Sequence, residues 1–176
     1  MSGTLVSLRF RHLTAADRVR IEEITRAVGL FREAEIAVAL EVFDEAIGVG
    51  PRADPSRVAT EGGPYVALGA DMDGRIMGWI CWGHTPCTEG TYDLYWMAVD
   101  PSLQGNGIGT ALLDEMERRL DGLARLIVIE TAGRADYAGT RAFYQSRGYC
   151  PVSVIPDFYA PEDDQVVFVK SVSGKR

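Results

Sequence analysis

Histidine and cysteine are scarce in this chain: His12 and His84 are the two histidines, and Cys81, Cys87 and Cys150 the three cysteines, among 176 residues. An odd number of cysteines without C-x-x-C spacing argues against both a disulfide framework and a cysteine-rich zinc site. No metal is therefore expected, and a reducing, cytoplasmic setting is. Apolar runs are short, and none nears the roughly 20 residues that a membrane span requires. The opening stretch MSGTLVSLRFRHL also lacks the apolar segment of a signal peptide. Basic residues are outnumbered, 18 against 25, for a net charge of -7. Duplex nucleic acid is then an unfavourable partner, because phosphate binding draws on clustered Lys and Arg, whereas a cationic molecule is attracted. Internal repeats, low-complexity tracts and linker-like stretches are missing too, so one domain over 1–176 is expected, with 47% hydrophobic residues to fill its core.

What is present is organised around residues 91–120, TYDLYWMAVDPSLQGNGIGTALLDEMERRL. Tyr92, Leu94, Trp96 and Ala98 are apolar at every second position, which predicts a strand with Asp93, Tyr95, Met97 and Val99 on its other face. Asp100-Pro101 ends that strand. Gly105-Asn106-Gly107-Ile108-Gly109 then strips the backbone of bulk before Ile108, Leu112, Met116 and Leu120 recur at helical spacing. The first N–H groups of a helix have no intrahelical partner, and the dipole adds partial positive charge, so such a turn suits a phosphate or diphosphate.

The flanks read as alternating strands and helices. Leu5–Phe10 predicts a first strand. Thr14 with Asp17 opens a helix running to about Val28, with Ile21, Ile24 and Val28 as its buried stripe and Gly29 as its stop. A second helix carries Ile36, Leu40, Phe43 and Ile47 on one face and Glu33, Glu41, Asp44 and Glu45 on the other. Residues 48–64 are rich in Gly and Pro and predict a long loop. Asp71-Met72-Asp73-Gly74 between two apolar runs predicts a hairpin. Leu126–Ile129 predicts a strand covered on both faces and parallel to 91–99. Thr140–Arg147 predicts a last helix stopped by Gly148, followed by strands near Cys150–Ile155 and Val166–Val169.

Gln104, Gly107 and Gly109, in the order Q-x-x-G-x-G, resemble the acetyl-CoA diphosphate loop of the GNAT superfamily of N-acetyltransferases. Met97-Ala98-Val99 before Asp100-Pro101 is similar to that family's central strand, and Ala142-Phe143-Tyr144 with Gly148-Tyr149 to its later helix. The resemblance covers roughly residues 75 to 170. It implies an α/β fold of the GNAT acyl-CoA N-acyltransferase type, with a mixed six- to seven-stranded sheet and about four helices. It also implies acetyl-CoA as co-substrate, a small-molecule or peptide amine as acceptor, and a homodimer as one expected assembly. A dinucleotide fingerprint, G-x-G-x-x-G, would want Gly or Ala where Thr110 stands.

From the resemblance, the amides of Gly105, Asn106, Gly107, Ile108, Gly109 and Thr110 hold the diphosphate, with Gln104 anchoring the turn or a phosphate. Met97, Ala98 and Val99 pair with the pantetheine arm, and Ala98 or Val99 N–H serves the thioester oxygen. Asp93 is the candidate base, acting through water; its alternative is a carboxylate hydrogen-bonded to a neighbouring strand or loop. Tyr144 is the candidate acid near the CoA sulfur, with Phe143 supplying the packing beside it. Tyr137 stands where the family often has an Asn that bonds pantetheine. Tyr95 and Asp157-Phe158-Tyr159 are candidate walls of the acceptor site. Two other functions share the motif: an acyl-CoA-binding module without turnover, and a nicotinamide-dependent oxidoreductase in which Glu130, about 25 residues after Gly105, takes the place of the ribose-binding acid.

Overall fold

Among the described residues, seven strands and four α-helices follow one another: β1 (Leu8–His12), α1 (Arg18–Ala27), α2 (Glu33–Ala46), β2 (Val66–Met72), β3 (Arg75–His84), β4 (Thr91–Val99), α3 (Ile108–Arg119), β5 (Leu126–Ala132), α4 (Ala138–Ser146), β6 (Cys150–Ala160) and β7 (Asp163–Ser171). They are seen in a computed structural model that describes residues 8–49 and 64–172. The strands hydrogen-bond in the order β1-β2-β3-β4-β5-β7-β6. β4 and β5 are parallel, whereas β1–β2, β2–β3, β5–β7 and β6–β7 are antiparallel. This is a mixed sheet of the GNAT type. One compact unit is built from the elements up to Gly83 together with Trp96–Arg119, and a second from His84–Tyr95 together with the elements from Leu120 onwards.

In the first unit, α1 and α2 bring Ile21, Ile24, Ile36, Ala39, Leu40 and Phe43 into one buried cluster with Trp79 and Cys81 of β3. The stripes that spacing alone predicts are the ones buried, except that Val28 caps α1 and is only partly buried. Each such large aliphatic or aromatic side chain contributes about 1.5–3 kcal/mol of transfer free energy. Alternation turns Gly78 to the opposite face of β3, where Leu112 of α3 lies 3.1 Å from the position a Cβ would take. With helices on both faces, the middle of β3 is buried without a break, which is why it reads as a nearly continuous apolar run. Trp79 Nε1 donates to Thr25 Oγ1 at 3.0 Å, and that hydroxyl donates to the Ile21 carbonyl at 2.7 Å. Both side chains are fully buried. Thr25→Val should therefore cost about 1–3 kcal/mol through an unsatisfied indole N–H, read from urea unfolding curves.

The hairpin between β2 and β3 turns on Asp73 and Gly74, with φ of 53° and 84°, both in the left-handed region that a two-residue type I′ turn requires. In the second unit, Phe168 of β7 lies opposite Ile129 of β5. α4 lays Tyr144 over it, with ring centroids 6.3 Å apart.

Several boundaries differ from the sequence expectations. β1 reaches His12, because Arg11 and His12 continue the ladder opposite Gly69 and Leu68; residues 5–7 and most of the 48–64 loop lie outside the described residues. α4 starts at Ala138 instead of Thr140, after a short 3-10 turn at Ala135–Tyr137. The two tail strands are longer than predicted and run to Ala160 and from Asp163. β6 passes through Pro151 and Pro156, which is tolerated because it is the last strand of the sheet and their missing N–H groups need not serve a second neighbour.

Candidate active site

β4 leaves the sheet at Asp100, whose N–H donates to Met77 O at 2.8 Å. In an extended strand, successive N–H groups point to opposite edges. The amides of Ala98 and Asp100 thus turn toward β3, and those of Met97 and Val99 toward the other edge. Of the two candidates for the thioester oxygen, Val99 is then the outward donor. The parallel ladder with β5 runs from Thr91↔Leu126 to Leu94↔Ile129. Among the described residues it goes no further, although β4 itself continues to Val99. Backbone groups on that edge of Met97 and Val99 lie beyond the ladder, as an added pantetheine strand would need.

After Asp100 a 3-10 turn, Pro101–Leu103, leads to the glycines. Gly105 and Gly107 have φ of 81° and 80°, and a Cβ at either would meet nothing within 4 Å. Gln104 to Gly107 are exposed. The first intrahelical bond of α3 is Ala111 N–H to Gly107 O at 2.9 Å, so the N–H groups of Ile108, Gly109 and Thr110 precede the ladder. An open, left-handed turn at the head of a twelve-residue helix fits a diphosphate by its donor set and by its lack of side-chain bulk. Asp100 fixes the entry to this turn: Ser102 and Arg20 hydrogen-bond to its carboxyl and hold it at about 2.

In the second unit Asp93 sits on β4 with Oδ2 accepting from Thr85 Oγ1 at 2.6 Å and from the Tyr95 hydroxyl at 3.4 Å. Register puts Val128 opposite Asp93, so Glu130, two residues on, shares its face. Gln165 Nε2 donates to Glu130 Oε2 at 2.9 Å and lies 3.5 Å from the Tyr159 hydroxyl. Partial burial, and then the Asp93 charge, hold the Glu130 carboxyl above the usual glutamate range. Two carboxylates on one face of neighbouring strands, each held by its own hydrogen bonds, can accept a proton or attract a cation.

Tyr144 is buried, with 6% of its surface exposed. It is packed against Phe143, Tyr149 and Phe168 at centroid distances of 5.4, 6.0 and 6.3 Å. The expectation that Phe143 does the packing is reversed here: Phe143 is half-buried and Tyr144 is the core residue. Burial, with Tyr137 adding in the same direction, pushes its hydroxyl above the usual phenol range. Tyr137 is itself buried beneath Arg134, whose guanidinium lies 5.0 Å from the ring centre. The acidic face of α2 is partly neutralised, because Arg18 grips Asp44 at 2.8 Å and Arg26 pairs with Glu33. Among the described residues no cluster of metal-ligating side chains occurs, and no helix is long and apolar enough to cross a membrane.

Residues 30–149 match the acetyltransferase (GNAT) family. The chain belongs to the GNAT family. It is 34% identical to a GNAT-family protein of known structure from Desulfovibrio desulfuricans, superposing with a TM-score of 0.83 over 95% of this chain and 100% of that one. It is also 30% identical to an uncharacterized N-acetyltransferase of Methanocaldococcus jannaschii over 105 residues, 57% of this chain and 63% of that one. An aminoglycoside 6'-N-acetyltransferase complexed with coenzyme A shares the fold at 15% identity, with a TM-score of 0.71 over 96% of this chain and 99% of that one. GNAT enzymes move an acetyl group from acetyl-CoA to an amine. The nicotinamide alternative falls with the family assignment: β1 to β3 are antiparallel, whereas a dinucleotide fold requires a parallel doubly wound sheet.

Sequence reading missed the partners that complete these GNAT elements, namely Thr85, Gln165 and Arg20, and gave Glu130 a different role. Only the β4–β5 register offered a signal for Glu130, and register is not written in a single strand.

Proposed function

We propose that this GNAT chain is a single-domain acetyl-CoA-dependent N-acetyltransferase acting on a primary amine by direct attack. The observation that carries this reading is the left-handed Gly105–Gly107 turn, open in front and followed by the first amides of α3, which precede the intrahelical ladder. Acetyl-CoA supplies an activated acyl thioester. The amides of Gly105 to Thr110 grip its diphosphate, the outer edge of Met97 and Val99 aligns the pantetheine arm, and Val99 N–H donates to the carbonyl oxygen as charge develops there. Asp93 accepts the amine proton through a water. Tyr144 donates to the departing sulfur. A lysine-like amine of pKa about 10.4 costs roughly 4.6 kcal/mol to deprotonate at pH 7, and an α-amine near 7.8 only about 1. The acceptor therefore decides how much the base must do.

A second assignment of the base is favoured by one observation, the raised Glu130 carboxyl held by Gln165. A carboxylate with a raised pKa is the better proton acceptor. Release of free CoA thiol from acetyl-CoA, measured across a panel of α-amines, polyamines, aminoglycosides and peptides, tests the function; tight CoA binding without turnover on any of them would favour the non-catalytic module. Within an active pairing, Asp93→Asn is expected to lower kcat about a hundredfold. If instead it keeps kcat and moves the acid limb of the pH profile to lower pH, the base is Glu130. Its pKa is raised in part by the Asp93 charge, so removing that charge lets it ionise at lower pH.

A further inference from the structure

Arg20, on α1, belongs to none of the segments described as touching acetyl-CoA, yet it is bonded to the root of the diphosphate turn. Its Nε donates to Ile76 O on β3 at 2.9 Å, and its Nη2 donates to Asp100 Oδ2. Both side chains are largely shielded, at 19% and 17% exposure, so the pair is screened less than a surface ion pair. Asp100 divides its two oxygens. Oδ2 takes Arg20, while Oδ1 accepts from Ser102 N–H at 3.0 Å and Ser102 Oγ at 2.7 Å. From there the turn is suspended by successive bonds: Leu103 N–H to Asp100 O at 2.9 Å, Gln104 N–H to Pro101 O at 3.3 Å and Asn106 N–H to Leu103 O at 3.3 Å. Gly107 and the first amides of α3, ahead of its intrahelical ladder, come next. The glycines of the turn meet no side chains, so between the Asp100 N–H bond to Met77 O and the buried stripe of α3 that begins at Ile108, the side-chain clamp at Asp100 is what helps to aim those amides.

We propose that Arg20 is a positioning residue for acetyl-CoA: by locking Asp100 to β3 and α1 it orients the Gly105–Thr110 amides for the diphosphate. The inference rests on the reading that this turn binds CoA, and the experiment separates the two. Calorimetric titration with CoA is run on wild type, Arg20→Gln, Asp100→Asn and the double variant, alongside steady-state kinetics and thermal unfolding without ligand. Wild type is expected to bind CoA. Arg20→Gln should weaken binding about tenfold and raise KM for acetyl-CoA in proportion, with kcat at saturating acetyl-CoA and KM for the acceptor nearly unchanged. Asp100→Asn should do the same, and the double variant should be no worse than the worse single, because both changes break one link. Arg20→Lys, which keeps the charge but cannot span both Ile76 O and Asp100, should recover part of the affinity.

If wild type fails to bind CoA, the diphosphate reading falls and this inference with it. If wild type binds but Arg20→Gln binds equally well, only the positioning role is overturned. A fall in unfolding temperature with unchanged CoA affinity would assign the pair to stability alone, and additive affinity losses in the double variant would overturn the claim that Arg20 acts through Asp100. Should Arg20→Gln not fold, the Arg20→Lys and Asp100→Asn titrations decide by the same criterion.

Discussion

Tyr144→Phe is expected to lower kcat about a hundredfold, the usual scale for loss of a positioned acid, while the thermal midpoint stays where it is. The two halves of that expectation come from different atoms of one residue. The ring is packed among Phe143, Tyr149 and Phe168, and phenylalanine preserves that packing. The hydroxyl has no hydrogen-bond partner among the described residues, so removing it leaves no orphaned group behind. A phenol normally titrates near 10 and a thiol near 8.5, and burial holds this phenol higher still. Proton transfer to the leaving sulfur is therefore uphill, and proximity must supply what acidity does not. Stopped-flow or steady-state release of CoA measures the rate, and differential scanning calorimetry the midpoint. An unchanged kcat would return Tyr144 to the core, with no part in the chemistry.

Gly107→Val is expected to weaken CoA binding by about ten- to a hundredfold, through two effects that a control can separate. At φ of 80° a β-branched residue is strained by about 1–2 kcal/mol. Its side chain would also project into the open space beside the first amides of α3, where the glycine leaves room for an anion. Gly122 has almost the same backbone, with φ of 76° and nothing within 4 Å of an added Cβ, but follows α3 and has no place in the proposed site. Gly122→Val should lose a similar amount of stability and keep its affinity for CoA. Equal affinity losses in both variants would mean that strain alone is at work and that the turn does not cradle the diphosphate.

The difference between these two glycines also marks how far the sequence could be read. Helices α1 and α2 were legible because Ile21, Ile24, Ile36, Leu40 and Phe43 fall at helical spacing, and such spacing is local information. The β2–β3 hairpin was legible because Asp73-Gly74 suits the left-handed pair of angles its turn needs. Asp93, by contrast, could be placed on a face of its strand but not beside Glu130, since that proximity depends on how a later strand is registered. Tyr144 falls in its helix as the spacing predicts, but the buried ring is that of Tyr144, with Phe143 only half-buried beside it. A short helix with two adjacent aromatics gives no local sign of which one meets Phe168.

By itself the sequence determined the order of strands and helices, the hairpin, and a glycine-rich turn at the head of a helix, because periodicity, turn chemistry and the dipole of a helix end all act over a few residues. Only the tertiary structure decided which amide of β4 faces outward, that Glu130 stands by Asp93, that Tyr144 is a core residue and that Arg20 reaches Asp100. Each of those facts joins segments distant along the chain, and the free energy that joins them comes from packing and register, which no single stretch of residues encodes.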